Sequence, residues 1–186
     1  MRIIAGSLKG RRLRSPGWKG LRPTSDKLRE TLFNILAPRI AGARLLDGYA
    51  GTGAAGLEAL SRGAAHVTFV DRDRRAEALV AENLAHCGVG NGCVIIRAPM
   101  ARALANLRAA GSIFDIVLLD PPYDSPPGAE LPAVADVLAP DGVAVVEHDR
   151  RTSMPDRVGA LSRSRDVRSG DSVLTFYRLI PAAATD

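Results

Sequence analysis

The stretch that determines the fold is Leu45-Leu46-Asp47-Gly48-Tyr49-Ala50-Gly51-Thr52-Gly53-Ala54-Ala55-Gly56. It opens with an apolar run, and Gly51, Gly53 and Gly56 then follow the spacing G-x-G-x-x-G ahead of a helical pattern. A glycine turn between a strand and a helix is typical of proteins whose backbone approaches a nucleotide-like cofactor. The stretch therefore predicts the first βα unit of an α/β fold.

Downstream of this turn, short apolar runs alternate with helical patterns. The predicted strands are Arg44–Tyr49, His66–Asp71, Cys93–Arg97, Phe114–Asp120 and Val143–His148. The predicted helices between them are Ala54–Arg62, Arg74–His86, Met100–Ala109 and Glu130–Leu138. Strands that are apolar throughout and separated by helices indicate a doubly wound, mostly parallel sheet. The segments Ser164–Arg168 and Ser172–Ile180 predict a closing antiparallel hairpin.

Three segments are expected along the chain. Residues 1–40 form a basic N-terminal extension with an amphipathic helix over Lys27–Leu36, capped by Thr24 or Ser25 and ended by Pro38. Residues 41–180 form the main domain, and residues 181–186 are a frayed tail.

Composition places the chain among single-domain α/β proteins, with 186 residues, 46% hydrophobic and 24% charged. No apolar run is long enough to cross a bilayer, and the first residues lack the apolar stretch of a signal peptide, so we expect a cytoplasmic protein. Cys87 and Cys93 have no second ligand pair, and we interpret them as ordinary thiols and expect no metal.

Positive charge is concentrated at the N-terminus. The first 22 residues contain seven basic and no acidic side chains, although the whole chain has a net charge of only +5. Such a segment suits a phosphate-bearing partner, and the alternative is a solvated basic tail. The candidate phosphate-binding residues are Arg2, Lys9, Arg11, Arg12, Arg14 and Arg22.

Asp47 helps to distinguish between the two kinds of cofactor that a glycine turn could bind. A carboxylate at this position would repel a pyrophosphate but attract the ammonium and sulfonium of S-adenosylmethionine. Asp71, at the end of the second predicted strand, could accept hydrogen bonds from the ribose hydroxyls of either cofactor. Asp47 could instead cap a helix or stabilise a turn, and we favour the cofactor role because of the surrounding motif.

The motif Asp120-Pro121-Pro122-Tyr123 ends the fourth predicted strand. An exocyclic base amine is a poor nucleophile, and a carboxylate plus a proline-fixed carbonyl could accept its two hydrogens and favour the pyramidal form. The tyrosine ring offers a stacking surface for an extruded base. These four residues are the catalytic candidates, and a proline turn with an incidental acid and aromatic is the alternative.

Together these segments resemble the bacterial RsmD family of 16S ribosomal RNA guanine-N2 methyltransferases. The resemblance rests on Arg2-Ile3-Ile4-Ala5-Gly6, Lys9-Gly10-Arg11, Leu21–Asp26, Arg29–Asn34, the Asp47–Gly56 loop, Gly56–Ala64 and Asp120–Tyr123. It implies a seven-stranded, Rossmann-like class I methyltransferase sheet over residues 41–180, with S-adenosylmethionine as cofactor. It also implies that residues 1–40 face RNA in the small ribosomal subunit or its assembly intermediate.

By that resemblance, the cofactor-binding candidates are Asp47, Ala50, Gly51, Thr52, Gly53, Asp71, Met100 and Asp120. The sequence departs from relatives at Ala98, which cannot make the polar contact near adenine that many of them provide, so apolar contact with Met100 is expected instead. Glu147 could approach the site or be structural, and Arg29 could pair with Glu30 or contribute to the pocket. A monomer is expected.

Three other functions remain open. One is methylation of adenine N6 in DNA or RNA, because the tetrapeptide does not distinguish the two bases. Another is a non-catalytic RNA-binding assembly factor that retains a vestigial pocket. The third is a nicotinamide oxidoreductase, against which Asp47 and the lack of a separate substrate domain both argue.

Overall fold

A computed structural model describes residues 1–15, 26–122 and 125–181. The helices are α1 (Asp26–Ile40), α2 (Ala54–Ser61), α3 (Arg74–His86), α4 (Met100–Ala109) and α5 (Leu131–Val134). The strands are β1 (Arg44–Gly48), β2 (His66–Asp71), β3 (Cys93–Arg97), β4 (Phe114–Leu119), β5 (Leu138–Asp149), β6 (Arg157–Val158), β7 (Leu161–Ser169) and β8 (Ser172–Leu179).

These strands form one sheet in the order β3-β2-β1-β4-β5-β8-β7-β6. The strands β1 to β5 pair in parallel, whereas β8 is antiparallel to both β5 and β7. The predicted fold class, with its antiparallel C-terminal hairpin, is confirmed. The expected count of seven strands is wrong, because the described sheet has eight. The additional strand, β6, has only two residues and pairs with the start of β7, too short a segment for periodicity to predict.

The bounds of two predicted helices and of the fifth predicted strand also need correction. Helix α1 continues past Pro38 to Ile40, since Pro38 lies on the exposed face while Ile40 is buried in the core. The helix predicted over Glu130–Leu138 is limited to the four residues of α5. The strand predicted over Val143–His148 is longer than expected, since β5 spans Leu138–Asp149. The N-cap predicted at Thr24 or Ser25 lies outside the described residues, as do residues 182–186 of the predicted tail.

Helices cover both faces of the sheet. One apolar cluster joins α1, α2 and α3 to one face through residues such as Phe33, Leu57 and Val80. The other joins α4 and α5 to the opposite face through Leu104 and Leu131. This two-sided cover explains why the central strands are apolar throughout.

The N-terminal extension is packed onto this domain. Arg2 and Arg12 form an antiparallel bridge, and Ile3 and Leu13 are buried in the same cluster as α1 and α2. The fully buried carboxylate of Glu58 accepts hydrogen bonds from the N–H groups of Ile4 (2.7 Å) and Ala5 (3.0 Å). Residues 1–15 therefore have a defined place at one face of the sheet. That residues 1–40 face RNA stays a prediction. Among the described helices, none has the length and apolar character to cross a bilayer.

Candidate active site

The carboxyl ends of β1 and β4 lie side by side. Gly48 at the end of β1 is in register with Leu119 at the end of β4. The backbone N–H of Asp120 donates to the carbonyl of Gly48 over 3.4 Å. The motif beginning at Asp120 therefore lies beside the glycine turn, at the sheet edge where ligands of open α/β proteins bind.

The glycine turn is built from backbone groups and left-handed residues. Gly51 and Gly53 have φ values of 56° and 75°, a region that disfavours side chains. The N–H of Ala50 donates to the carbonyl of Val70 (3.0 Å), which holds the turn against β2. At Gly56, an added Cβ would lie 2.2 Å from the ring of Phe69. The third glycine is therefore required by the close packing of α2 on β2.

Asp47 both caps a helix and lines a pocket. Its side chain is 4% exposed, and Oδ2 accepts a 2.8 Å hydrogen bond from the N–H of Gly56 in the first turn of α2. Burial raises the pKa of Asp47 to about 7, with a smaller contribution from the Asp71 carboxylate, against the lowering effect of the Gly56 hydrogen bond. The capping alternative is thus realised, and it leaves the carboxylate at the pocket wall.

Asp71 stabilises the same turn. Its Oδ2 accepts from the N–H of Gly51 (3.0 Å) and its Oδ1 from the N–H of Asp73 (2.9 Å). Each carboxylate oxygen can accept a further hydrogen bond, so a contact with ribose hydroxyls is compatible with this geometry. The ribose role stays a prediction.

The pocket at this edge brings together five of the predicted cofactor residues, namely Asp47, Ala50, Gly51, Thr52 and Asp120. Gly53, Asp71 and Met100 are not among its lining residues. Met100 is 5% exposed, and its sulfur would lie 3.1 Å from a Cβ added at Gly48, so it packs behind the end of β1. Its contact with adenine stays a prediction.

The rest of the predicted catalytic motif is only partly described. Pro121 is half-buried and Pro122 is exposed, directly after Asp120. Tyr123 lies outside the described residues, so its stacking role stays a prediction.

Sequence reasoning missed one pocket residue, Tyr49, and its contact with Glu130. Tyr49 lines the pocket with φ 63°, unusual for a residue with a side chain, and its hydroxyl donates to Oε1 of Glu130 over 2.5 Å. Burial, followed by the hydrogen bond to Glu130, raises the pKa of Tyr49. Glu147, considered as either a pocket or a structural residue, lines the pocket. In the sequence, the only sign that Tyr49 could line the pocket was its position inside the glycine turn. No local pattern indicated Glu130 as its hydrogen-bond partner.

Arg29 is buried in the pocket wall instead of pairing with Glu30. Its side chain is 1% exposed, and its Nη2 donates to the carbonyl of Arg2 (2.6 Å) and to Oδ1 of Asp26 (3.0 Å). Its Nε and Nη1 are buried and have no hydrogen-bond partner among the residues that the structure describes. Glu30 is exposed to solvent.

The basic residues of the N-terminal segment lie at the surface. Arg2, Lys9, Arg11, Arg12 and Arg14 are all exposed, and Arg14 forms an ion pair with Glu82 (3.2 Å). Arg22 lies outside the described residues. The contact of these residues with RNA stays a prediction.

Asn83 connects this segment to the glycine turn. Its amide oxygen accepts from the N–H of Arg14 (2.8 Å), while its amide nitrogen donates to the carbonyls of Arg14 (3.2 Å) and Thr52 (2.9 Å). One fully buried side chain thus holds both the basic segment and the pocket loop in place.

Comparison with known proteins agrees with this arrangement of elements. The family described as Conserved hypothetical protein 95 matches residues 1–178. YlbH of Bacillus subtilis strain 168 is 38% identical over 181 residues, which are 96% of this chain and 98% of that protein. The chain belongs to this family, the RsmD family.

Two further relatives extend the comparison. Ribosomal RNA small subunit methyltransferase D of Escherichia coli K12 is 46% identical over 123 residues, which are 66% of this chain and 60% of that protein. The solved structure of yhhF from Escherichia coli superposes with a TM-score of 0.82 at 36% identity, covering 96% of this chain and 97% of the other. The chain is a methyltransferase of the RsmD family, with the family's fold over nearly its whole length.

Proposed function

We propose that this protein transfers a methyl group from S-adenosylmethionine to the exocyclic N2 amino group of a guanine in small-subunit (16S) ribosomal RNA. The observation that carries the proposal is the position of Asp120, which lines the same pocket as the buried Asp47 beside the glycine turn. Membership of the RsmD family supports the ribosomal substrate, since the Escherichia coli relative is named for the small subunit.

The residues of the pocket fit S-adenosylmethionine better than a dinucleotide. The buried Asp47 carboxylate would repel a pyrophosphate and attract an ammonium or sulfonium. Asp47, Ala50, Gly51 and Thr52 would hold the cofactor at the pocket wall, with Asp71 beneath the turn directed to the ribose. When bound, S-adenosylmethionine supplies an electrophilic methyl group on its sulfonium. Adenine would rest on apolar and backbone groups, because Ala98 has no polar side chain.

Asp120 and the two prolines would orient the target amine. The Asp120 carboxylate would accept one amino hydrogen, and a carbonyl in the rigid Pro121-Pro122 backbone would accept the other. Both contacts favour the pyramidal amine, whose lone pair is available for attack. The amine loses a proton only after it has been methylated, so catalysis depends mainly on positioning. Tyr123 would provide the stacking surface for the base.

The exposed basic residues of segment 1–15 would meet the phosphates of the RNA. Arg2, Lys9, Arg11, Arg12 and Arg14 are fixed at the surface by a segment whose apolar residues, Ile3 and Leu13, are buried. Because Asn83 links this segment to Thr52, RNA held there would lie at a fixed position relative to the pocket. We propose small ribosomal subunits or their assembly intermediates as partner, the monomer as the acting form and the cytoplasm as the location.

The experiment is methyl transfer from radiolabelled S-adenosylmethionine to small subunits purified from a strain that lacks this gene. Label should enter the 16S RNA, and mass spectrometry of the nucleosides should identify N2-methylguanosine. Recovery of N6-methyladenosine would assign the enzyme to adenine instead. Binding of subunits without transfer would support a non-catalytic assembly factor, and binding of NAD in preference to S-adenosylhomocysteine would refute the cofactor.

A further inference from the structure

Arg29 has a buried guanidinium, and only some of its N–H donors form hydrogen bonds. It is the largest fully buried side chain in the described part of the chain. Both of its recorded contacts, to Arg2 and Asp26, are made by the same nitrogen, Nη2. Nε and Nη1 are also buried, and neither has a partner among the described residues.

A guanidinium buried in this way is costly unless an anion meets its remaining donors. Asp26 offers limited compensation because its side chain is 51% exposed and it reaches one nitrogen only. Buried polar atoms in folded proteins nearly always have a partner, and an exception in a pocket wall points to a ligand. The required ligand group is an acceptor that carries negative charge.

The surroundings of Arg29 restrict what that anion can be. Arg29 lines the same pocket as Asp47, with the apolar side chains of Leu32, Leu118 and Leu174 also in the wall. A phosphate of folded RNA is flanked by riboses, and this bulk prevents it from reaching a guanidinium that is 1% exposed. A small carboxylate attached to a molecule that fills the pocket can do so.

Arg29 and Asp47 offer opposite charges to the same space. The ion pair recorded for Arg29 is with Asp26. The same wall also contains the carboxylates of Asp120 and Glu147. It therefore presents both signs of charge, as a zwitterionic ligand requires.

We infer that Arg29 binds the carboxylate of the amino-acid end of S-adenosylmethionine, while Asp47 receives its ammonium. The inference rests on the proposed function, because it takes that cofactor as the occupant of the pocket. It assigns to α1, and thus to the N-terminal part of the chain, a direct role in holding the cofactor.

The test compares two ligands that differ only in the carboxylate. S-Adenosylhomocysteine carries it, and 5′-(3-aminopropylthio)-5′-deoxyadenosine lacks it but keeps the amine and the nucleoside. Calorimetry with the unaltered protein should give about 100-fold tighter binding of S-adenosylhomocysteine, the effect of charged hydrogen bonds to a buried guanidinium. Equal affinity for the two ligands would overturn the inference without any variant.

The variant Arg29→Met keeps the apolar stem and removes the guanidinium. It should lose the preference for S-adenosylhomocysteine and bind the decarboxylated ligand about as tightly as the unaltered protein does. An equal loss for both ligands would show that Arg29 only supports the fold, which would also overturn the inference. If Arg29→Met does not fold, Arg29→Lys serves instead, with a reduced but measurable preference expected.

Failure of the inference is distinguishable from failure of the proposed function. If the unaltered protein binds neither ligand, the proposed cofactor is wrong. If it binds both ligands equally, the cofactor stands and the role of Arg29 is refuted. The matched control is Asp26→Asn, which removes the ion-pair partner of Arg29. It should leave the ligand preference within about threefold, because the Asp26 side chain is 51% exposed and is not among the lining residues of the pocket.

Discussion

The carboxylate of Asp47 accepts a 2.8 Å hydrogen bond from the N–H of Gly56, across the glycine turn. The acid that lines the pocket is thus also the group that satisfies a backbone donor in the first turn of α2. A helix-capping role and a cofactor role are therefore compatible at this residue. The combination has a cost, because the carboxylate is buried and its charged form is poorly solvated.

Binding of S-adenosylhomocysteine should depend on pH through Asp47. Burial raises the pKa of Asp47 to about 7, so a proton occupies the carboxylate below that pH. Only the charged form attracts the ligand ammonium, and affinity should fall by up to about tenfold per pH unit below the pKa. Calorimetry between pH 5.5 and 8.5 measures this slope. Asp47→Asn should give a flat profile with weak binding throughout, and an unchanged slope in that variant would assign the pH dependence elsewhere.

Ligand affinity should rise with pH through Asp47, whereas the contribution of Asp47 to the stability of the unliganded protein should fall with pH. Between the ordinary carboxyl pKa of 3.8 and about 7, the folded state holds a proton on Asp47 that the unfolded state has lost. The contribution of Asp47 to stability therefore decreases as pH rises through that window. Asp47→Asn keeps an acceptor for Gly56 without the charge. Its free energy of unfolding, relative to the unaltered protein, should increase from pH 4 to pH 7, and a decrease would contradict the assignment.

Gly56→Ala should destabilise the protein strongly. The added Cβ would lie 2.2 Å from Cε1 of Phe69, so α2 must move away from β2, at a cost of about 3 kcal/mol or more. Urea denaturation measures the loss. Gly90→Ala is the matched control, because nothing lies within 4 Å of its added Cβ, and it should be close to neutral. Adding Phe69→Leu to Gly56→Ala should restore part of the stability, and strictly additive losses would argue against this contact.

Asp120→Ala should abolish methyl transfer while S-adenosylhomocysteine still binds. The prediction follows from the role proposed for the carboxylate as acceptor of an amino hydrogen, a contact with the target base. Transfer to small subunits and calorimetry provide the two measurements. The control is Asp141→Ala, which removes an exposed carboxylate that is not among the lining residues of the pocket. Loss of folding, detected by circular dichroism, would make Asp120 structural. Retained transfer would exclude it from catalysis.

The sequence was sufficient to predict the parallel core and the sheet edge at which the candidate pocket lies. Apolar strands separated by amphipathic helices can be recognised from local periodicity, and the carboxyl ends of parallel strands must share one edge. The nearness of Asp120 to the glycine turn followed once β1 and β4 were neighbours. Periodicity could not predict the two-residue strand β6, because its pairing depends on β7 and not on its own sequence.

Long-range polar contacts were the part that sequence could not provide. Arg29 has an acidic neighbour on either side at helical or adjacent spacing, and only the fold determines that it pairs with Asp26 and is buried. Asn83 carries no local signal for a residue that joins Arg14 to Thr52. The contacts of Asn83 join positions far apart in the chain, and the burial of Arg29 depends on tertiary packing, so periodicity carries no information about either.

The exposed basic residues of segment 1–15 should give RNA binding a measurable salt dependence. Replacing Arg11 and Arg12 together with Ala should weaken binding to small-subunit RNA and reduce the slope of log affinity against log salt by about 1 for each lost phosphate contact. Titration at several salt concentrations measures this. The control is Arg102→Ala with Arg108→Ala, which removes the same charge from the exposed face of α4. Equal slopes for all three proteins would make the segment a solvated basic surface.

Tyr49, which lines the pocket, should be energetically coupled to Glu130. The Tyr49 hydroxyl donates to Oε1 of Glu130, whose Oε2 is buried without a hydrogen-bond partner among the described residues. Tyr49→Phe therefore leaves a partly buried carboxylate with neither oxygen paired there, at a cost of about 1–3 kcal/mol. Tyr49→Phe combined with Glu130→Leu should be more stable than Tyr49→Phe alone, as urea denaturation would show. Tyr177→Phe, which removes the hydroxyl that donates to Pro155, should lose stability without responding to Glu130→Leu, and additive effects at Tyr49 would refute the coupling.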